Sequence, residues 1–254
     1  MSVISDYQTM TARCVKLSLR NPEMIIMSLV TPVMLLFLFY YLFGSAMDSA
    51  HFTTSYINYI VPGVLIIAIG QSAATTSVVV CSDIQKGNLD RFLSLPISRS
   101  SFLVGHVVSA LARNITSTVL VIAIAFGIGF RPEAGLLQWV GIVGVLLIFM
   151  LMMTWVSVFL GLLVKTPESA GALLMFIQVF TYLSSGFVPT HTMPTILRVF
   201  CENQPLTPII ETIRSLFLSS SSGNNWIAAI LWSVGVLVLS YVFSMRTYKR
   251  VVSK

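Results

Sequence analysis

Charge is what this sequence has least of. Lys and Arg number 15 and Asp and Glu nine, together 9% of 254 residues, where a soluble domain carries about 25%. With 56% of positions hydrophobic, a chain that folds in water alone is excluded. Cysteine and histidine are equally sparse, three of each. Cys14, Cys81, Cys201, His51, His106 and His191 show no metal-ligand spacing, and so few cysteines make no disulfide framework. Catalytic signatures are missing too. "GLLVKT" (161–166) has Val164 where a phosphate loop needs glycine before its lysine. "LSSG" (183–186) has Leu183 where a serine-protease GxSG needs its first glycine, and no histidine follows His191. HExxH is absent. These gaps point away from an enzyme with its own ATP site, metal or nucleophile.

What the sequence does have is long apolar runs. About 20 such residues cross a bilayer core as a helix. Six runs qualify as spans, at about 24–43, 59–80, 102–129, 139–164, 169–184 and 226–245. They are continuously apolar, whereas barrel strands alternate, so the expected class is an all-α membrane protein. The first twenty residues lack an uninterrupted apolar signal-peptide core and a small-residue cleavage site, so the first span is expected to direct its own insertion. Basic residues set the orientation. Arg13, Lys16, Arg20, Lys86, Arg91, Arg99, Lys165, Arg246, Lys249, Arg250 and Lys254 fall on one side of that topology. Only Arg131, Arg198 and Arg214 fall on the other, with Arg113 inside the third run. Both termini are therefore expected in the cytoplasm. The net charge of +6 is accounted for without nucleic acid. Cys201 is expected on the opposite side from Cys14 and Cys81, which argues against an intrachain disulfide.

Between the runs the segments have character of their own. Val3, Tyr7, Met10, Cys14 and Leu17 recur at helical spacing, flanked by Arg13, Lys16 and Arg20, whose long side chains suit lipid phosphates. Residues 1–23 are thus expected as an amphipathic interfacial helix rather than a solvated tail, ending at Asn21-Pro22-Glu23. The six-span domain would occupy 24–254. In "CSDIQKGNLDRFLSLPISRSS" (81–101), Ser82 and Gln85 fit a capping box. Leu89, Phe92 and Leu93 share a helical face, and Pro96 ends it. A short cytoplasmic helix over about 82–95 is expected, bent or closely approached at Gly87; the plain alternative is a polar loop. The outer segment, about 185–225, begins "SGFVPTHTMP" and cannot continue the fifth span. Thr207-Pro208 reads as an N-cap and first helical residue. Ile209, Ile210, Ile213, Leu216 and Phe217 line an apolar face opposite Glu211, Thr212 and Arg214, a short helix expected to lie against, or re-enter, the outer leaflet.

Few polar residues interrupt the runs: Gln71, Thr75, Thr76, Arg113, Asn114, Thr154 and Gln178. Arg113 is the costly one, roughly 2.5–3.5 kcal/mol at mid-bilayer, unless it snorkels. Helix-to-helix hydrogen bonding is the plain reading for Asn114 and Gln178. The alternative is that polar groups of spans two and five, Gln71, Thr75, Gln178 and Tyr182, line a transport path, with Ser185, Gly186 and Phe187 of "SSGF" (184–187) as its constriction. So apolar a lining suits a hydrophobic or amphipathic cargo.

Taken together, "RNPEMIIMSLVTPVMLLFLFYYLFG" (20–44), "YIVPGVL" (59–65), "SDIQKGNLDRFLSLPISRSSFLVGHVVS" (82–109), "SSGFVPTHTMP" (184–194) and "NQPLTPIIETIR" (203–214) resemble the permease subunits of type-2 ABC exporters, in the drug-resistance and antibiotic-export branch. The resemblance covers nearly the whole chain. It implies that the loop between spans two and three is a coupling helix seated on a separately encoded nucleotide-binding subunit, with Asp83, Gln85, Lys86, Gly87, Leu89, Asp90 and Arg91 as contacts. ATP and Mg would bind to two copies of that subunit, not to this chain, and a second permease chain, identical or related, would complete the path. Export across a bacterial plasma membrane is the implied activity. The chain departs from the family's pattern at Asp83 and Gln85, where glutamate is usual, at Asn88, where threonine is usual, and at the inserted Gln204. An ion-coupled secondary transporter would show repeated halves, which are not seen here. A non-transporting membrane scaffold would not call for the structured loop.

Overall fold

In a bilayer core every backbone amide must be paired within the chain, which favours unbroken helices. The computed structural model describes residues 22–44, 55–89, 101–190, 193–220 and 223–252, and among these every regular element is a helix. The helices are α1 (Pro22–Leu38), continued by a π-helical turn (Phe39–Phe43), α2 (Tyr56–Gln85), α3 (Ser101–Ile128), α4 (Leu136–Leu163), α5 (Pro167–Tyr182), α6 (Thr195–Asn203), α7 (Leu206–Phe217) and α8 (Asn225–Val252). The expected interfacial helix, with Arg13, Lys16 and Arg20, lies outside the described residues apart from its last two positions. So do Asp90 and Arg91.

Among the described residues, four helices are long and apolar enough to cross a membrane: Tyr56–Gln85, Phe102–Ile128, Leu136–Leu163 and Asn225–Val252. They match the second, third, fourth and sixth expected runs. The first run appears as α1 with its π turn and the fifth as the 16-residue α5. Local chemistry fixes the ends. Pro22 and Pro167 open α1 and α5 where the missing N–H costs nothing, and the Thr166 hydroxyl accepts the Ser169 amide at 3.3 Å. Gln138 turns back to accept the Gly135 amide at the start of α4. Arg131 caps the carbonyls of Phe126 and Phe130 beyond α3, at 3.0 and 2.9 Å.

The helices do not share the interior equally. The apolar stretch of α2 is 78% buried and that of α8 only 22%. A helix that is apolar all round belongs at the centre, and α2 packs against α1, α3, α4, α5 and α7, while α8 leans on α4 and α7. The main core gathers Ile60, Leu65, Ile67 and Ile69 of α2 with Phe149 of α4, Leu174 of α5 and Ile210 and Phe217 of α7. A smaller core at the other end of α2 joins Val80 and Leu89 to Phe102, Val158 and Tyr248.

Two expectations change. α2 does not stop near residue 80 but runs on to Gln85, so Ser82 is helix interior and does not cap a new helix; its carbonyl instead accepts the Lys86 amide at 3.0 Å. The bend comes at Gly87, whose φ of +67° is a left-handed conformation that suits glycine, and helix resumes at Asn88 and Leu89. The outer helix starts at Leu206, with Pro205 rather than Thr207 at its N-cap, and α6 precedes it.

Candidate functional site: the two ends of helix α2

Helix α2 meets two irregular segments, one at each end. At its N-terminal end it meets the turn that follows α5. The Tyr59 hydroxyl donates to the Ser185 carbonyl at 2.9 Å, and the Tyr56 hydroxyl to that of Phe187 at 3.2 Å. Arg214 of α7, only 6% exposed, completes the junction. Its Nη2 donates to the Ser185 carbonyl at 2.6 Å and its Nε to the Tyr59 carbonyl at 3.2 Å. Its Nη1 pairs with Glu211 at 2.6 Å, and its guanidinium lies 3.6 Å from the Tyr59 ring centroid. A planar, permanently charged fork suits such a site better than an ammonium would, and the ring and Glu211 offset the cost of burying it.

The backbones come very close here. A Cβ built on Gly63 would lie 2.8 Å from the Gly186 carbonyl oxygen, so "PG" on α2 and "SSG" on the turn fit because neither glycine has a side chain. Phe187 stacks on Phe39 of the π turn at 4.5 Å and on Tyr182 at 6.0 Å. Nearby, side chains of α6 and of the α6–α7 junction cap the end of α5: the Leu183 carbonyl accepts from Cys201 Sγ at 2.8 Å and from Gln204 Nε2, and Thr207 donates to the Cys201 carbonyl at 2.5 Å. Burial, with Glu202 adding to it, pushes the Cys201 thiol pKa up. Asn58 exchanges two hydrogen bonds with the Arg131 backbone, at 3.0 and 3.1 Å, which ties in the α3–α4 loop as well.

At its other end α2 is tied to α3 and to the α4–α5 turn. Asp83 lies 3.2 Å from His106 of α3 and accepts from Asn88 at 2.8 Å. Gln85 donates to the Lys165 carbonyl, Cys81 to that of Val164 at 3.6 Å, and Ser77 to that of Ala170 at 3.1 Å. Backbone contact is close here as well: a Cβ on Gly161 would stand 2.7 Å from the Ser77 carbonyl oxygen. Of the residues implicated in coupling, Asp83 turns inward, Leu89 is buried, Gly87 makes the bend, and Gln85 and Lys86 are exposed.

The path candidates separate. Gln71 and Thr75 are half-buried on α2, and Tyr182 is exposed on α5. Gln178, Ser185, Gly186 and Phe187 are buried. Gln178 bonds helix to helix, its Nε2 donating to the Ile67 carbonyl at 3.1 Å. Asn114 reaches Thr154 of α4 at 3.5 Å, and Arg113 donates to Thr76 of α2 at 2.7 Å. Sequence reasoning placed Arg214 on a polar face and missed its burial. Its two carbonyl partners carry no side-chain signature, so only the oddity of an arginine beside three isoleucines (Ile209, Ile210, Ile213) could have flagged it.

Comparison with known proteins completes the description. A model of a family described as ABC-2 type transporter matches residues 5–218. The chain is 26% identical over 229 residues to a daunorubicin resistance ABC transporter permease protein of Streptomyces coeruleorubidus, covering 90% of this chain and 80% of that protein. It is also 26% identical to a probable doxorubicin resistance ABC transporter permease protein of Mycobacterium tuberculosis, over 73% of this chain and 68% of the relative. With a putative transport permease of Cyanophora paradoxa it shares 27% identity, over 80% and 70%.

Proposed function

The chain belongs to the ABC-2 type transporter family, and on that footing we propose that it is the membrane half of an ATP-driven exporter, with α2 as its lever. The observation that carries this reading is α2 itself. It is one unbroken helix of 30 residues, about 45 Å long at 1.5 Å per residue. It is tied at one end to the segment bearing Lys86 and at the other to the Ser185–Phe187 turn. A rigid element anchored at both ends can carry a displacement from a cytoplasmic partner to an outer constriction.

In this reading α1 with its π turn, and α5, join the four long helices to make six spans, with both termini in the cytoplasm of a bacterial cell. The Gln85–Leu89 bend, with Asp90 and Arg91 beyond it, docks on a separate nucleotide-binding subunit. Two copies of that subunit hold ATP and Mg; this chain supplies no nucleotide site. A second permease chain faces the exposed apolar side of α5, where Met175, Phe176, Val179 and Tyr182 lie. Cargo passes between the two chains, and Gln71 and Thr75 are among the few polar groups it meets. An apolar lining, together with the drug-resistance names of the relatives, supports a hydrophobic or amphipathic drug-like cargo.

The test is co-isolation from native membranes followed by ATPase assay. An ATPase subunit should accompany the chain, and Lys86→Glu should weaken its binding and cut cargo-stimulated hydrolysis several-fold while leaving insertion unchanged. If no ATPase accompanies the chain, the exporter reading is wrong. If binding and stimulation survive Lys86→Glu, the bend is not the docking element.

A further inference from the structure

Helices α2 and α3 meet along a seam that carries polar side chains from both helices. Two contacts fix its antiparallel register, Asp83 with His106 and Thr76 with Arg113. These pairs are one heptad apart on both helices. Four residues further, about one turn, the same register brings Ser72 level with Ser117. Asn114 and Thr118 flank Ser117 on α3 and face α4, where Thr154 lies within reach of Asn114.

Four side-chain oxygens on this seam, those of Ser72, Asn114, Ser117 and Thr118, are buried without a hydrogen-bond partner. Their residues are 0%, 0%, 2% and 5% exposed. Buried polar groups in proteins are almost always bonded, and water is the usual partner where protein supplies none. The four offer hydroxyl donors and an amide acceptor together, as a small molecule that both gives and takes hydrogen bonds requires. The opposite side of α2 differs: against α5 and the turn after it, it is closed by Gly63 on Gly186 and by Gln178 bonded to Ile67.

We propose that the α2–α3 seam, with α4 closing it, is a water-binding crevice. It runs from Asp83, whose side chain is 14% exposed, to Ala68 and Val121, both 0% exposed. Water there exchanges partners readily, so α3 can shift against α2 by a fraction of a turn without stranding a polar group. The seam is the compliant side of α2, and the α5 contact is the stiff one. This rests on the side chains of this one chain and does not depend on the transport reading.

The test is thiol chemistry in the full chain, reconstituted in vesicles, with methyl methanethiosulfonate as the probe and modification read peptide by peptide. Ser72→Cys and Ser117→Cys keep the size of the native side chain. Val121→Cys and Leu174→Cys serve as buried controls, on α3 and on the α5 side. The reagent needs a thiolate, which forms beside water and is suppressed in apolar surroundings. We expect Cys at 72 and 117 to react about a hundredfold faster than at 121 and 174, equivalent to two units of thiol pKa. Reaction as slow as the controls in both, in protein with unchanged helix content, overturns the proposal. A Ser72→Ala/Ser117→Ala pair gives a readout free of cysteine. Loss of water-bonded hydroxyls lowers the unfolding midpoint, whereas a higher midpoint means the hydroxyls were bare and the seam dry.

Discussion

Arg214 shows how much one side chain can hold in a membrane protein. It bonds two backbone carbonyls, that of Tyr59 in α2 and that of Ser185 in the α5 turn, the second shared with the Tyr59 hydroxyl, and pairs with Glu211 as well; a hydrogen bond to a charged group contributes about 1.5–3 kcal/mol. Arg214→Met should therefore destabilise the chain by roughly 2–4 kcal/mol, read as a lowered unfolding midpoint in detergent. Arg214→Lys should recover only part, because an ammonium cannot fork to both carbonyls. A lysine variant as stable as the parent would show that the fork does not matter. Cys201 makes a second expectation at this scale. Its pKa is raised by burial and by Glu202, so the thiol stays protonated at neutral pH, where an ordinary thiol is already partly ionised. Alkylation by iodoacetamide at pH 7.5 should be much slower in folded protein than after denaturation; equal rates would mean that the cap on α5 is open.

At the scale of elements, glycines mark where helices touch. Gly63 meets the backbone of Gly186, and Gly161 that of Ser77, both inside 3.0 Å of a built Cβ, whereas Gly144 and Gly235 meet nothing within 4 Å. Backbone cannot swing aside as a side chain can. Gly63→Ala and Gly161→Ala should each cost about 1–3 kcal/mol, and Gly144→Ala and Gly235→Ala should gain up to about 1 kcal/mol from helix propensity. Thermal unfolding of the four variants distinguishes them; an order that does not follow the contacts would refute the packing. The helices themselves were legible because lipid demands a run of apolar residues of near-fixed length, which locates the starts of α2, α3, α4 and α8 within about three residues, though α2 and α8 run on past the expected ends. Their contacts were less so. The capping box at Ser82 was misleading because the pattern it rests on also occurs inside a helix that runs on. α6 went unplaced because nine residues with Arg198 and Glu202 in register are too short for periodicity to stand out. Gln178 could be read as a helix-to-helix bond, but its partner is the carbonyl of Ile67, 111 positions away, which no pattern announces.

For the molecule as a whole, the basic residues predict that the α4–α5 turn and the α7–α8 turn lie on opposite sides. Lys165→Cys should be labelled by an impermeant maleimide only after intact cells are opened, and Asn224→Cys before. The reverse pattern would invert the topology. The central place of α2 was hardly legible, since five helices surround it and only its lack of a lipid-facing stripe hinted at this. That arrangement has a consequence for biogenesis. Of the neighbours of α2 only α1 is made before it, so α2 must wait in the insertion machinery or in lipid for four helices still to be translated. Asp83 and Thr76 find their partners once α3 arrives. The N-terminal end of α2 waits longest, for an arginine 155 residues downstream of Tyr59. A nascent chain that ends before Leu206 would carry three of its four long helices and still lack the arginine that ties that end to the α5 turn. Truncations on either side of Arg214 should therefore differ sharply in lifetime, the shorter being taken by membrane quality-control proteases although most of its hydrophobic length is already in place.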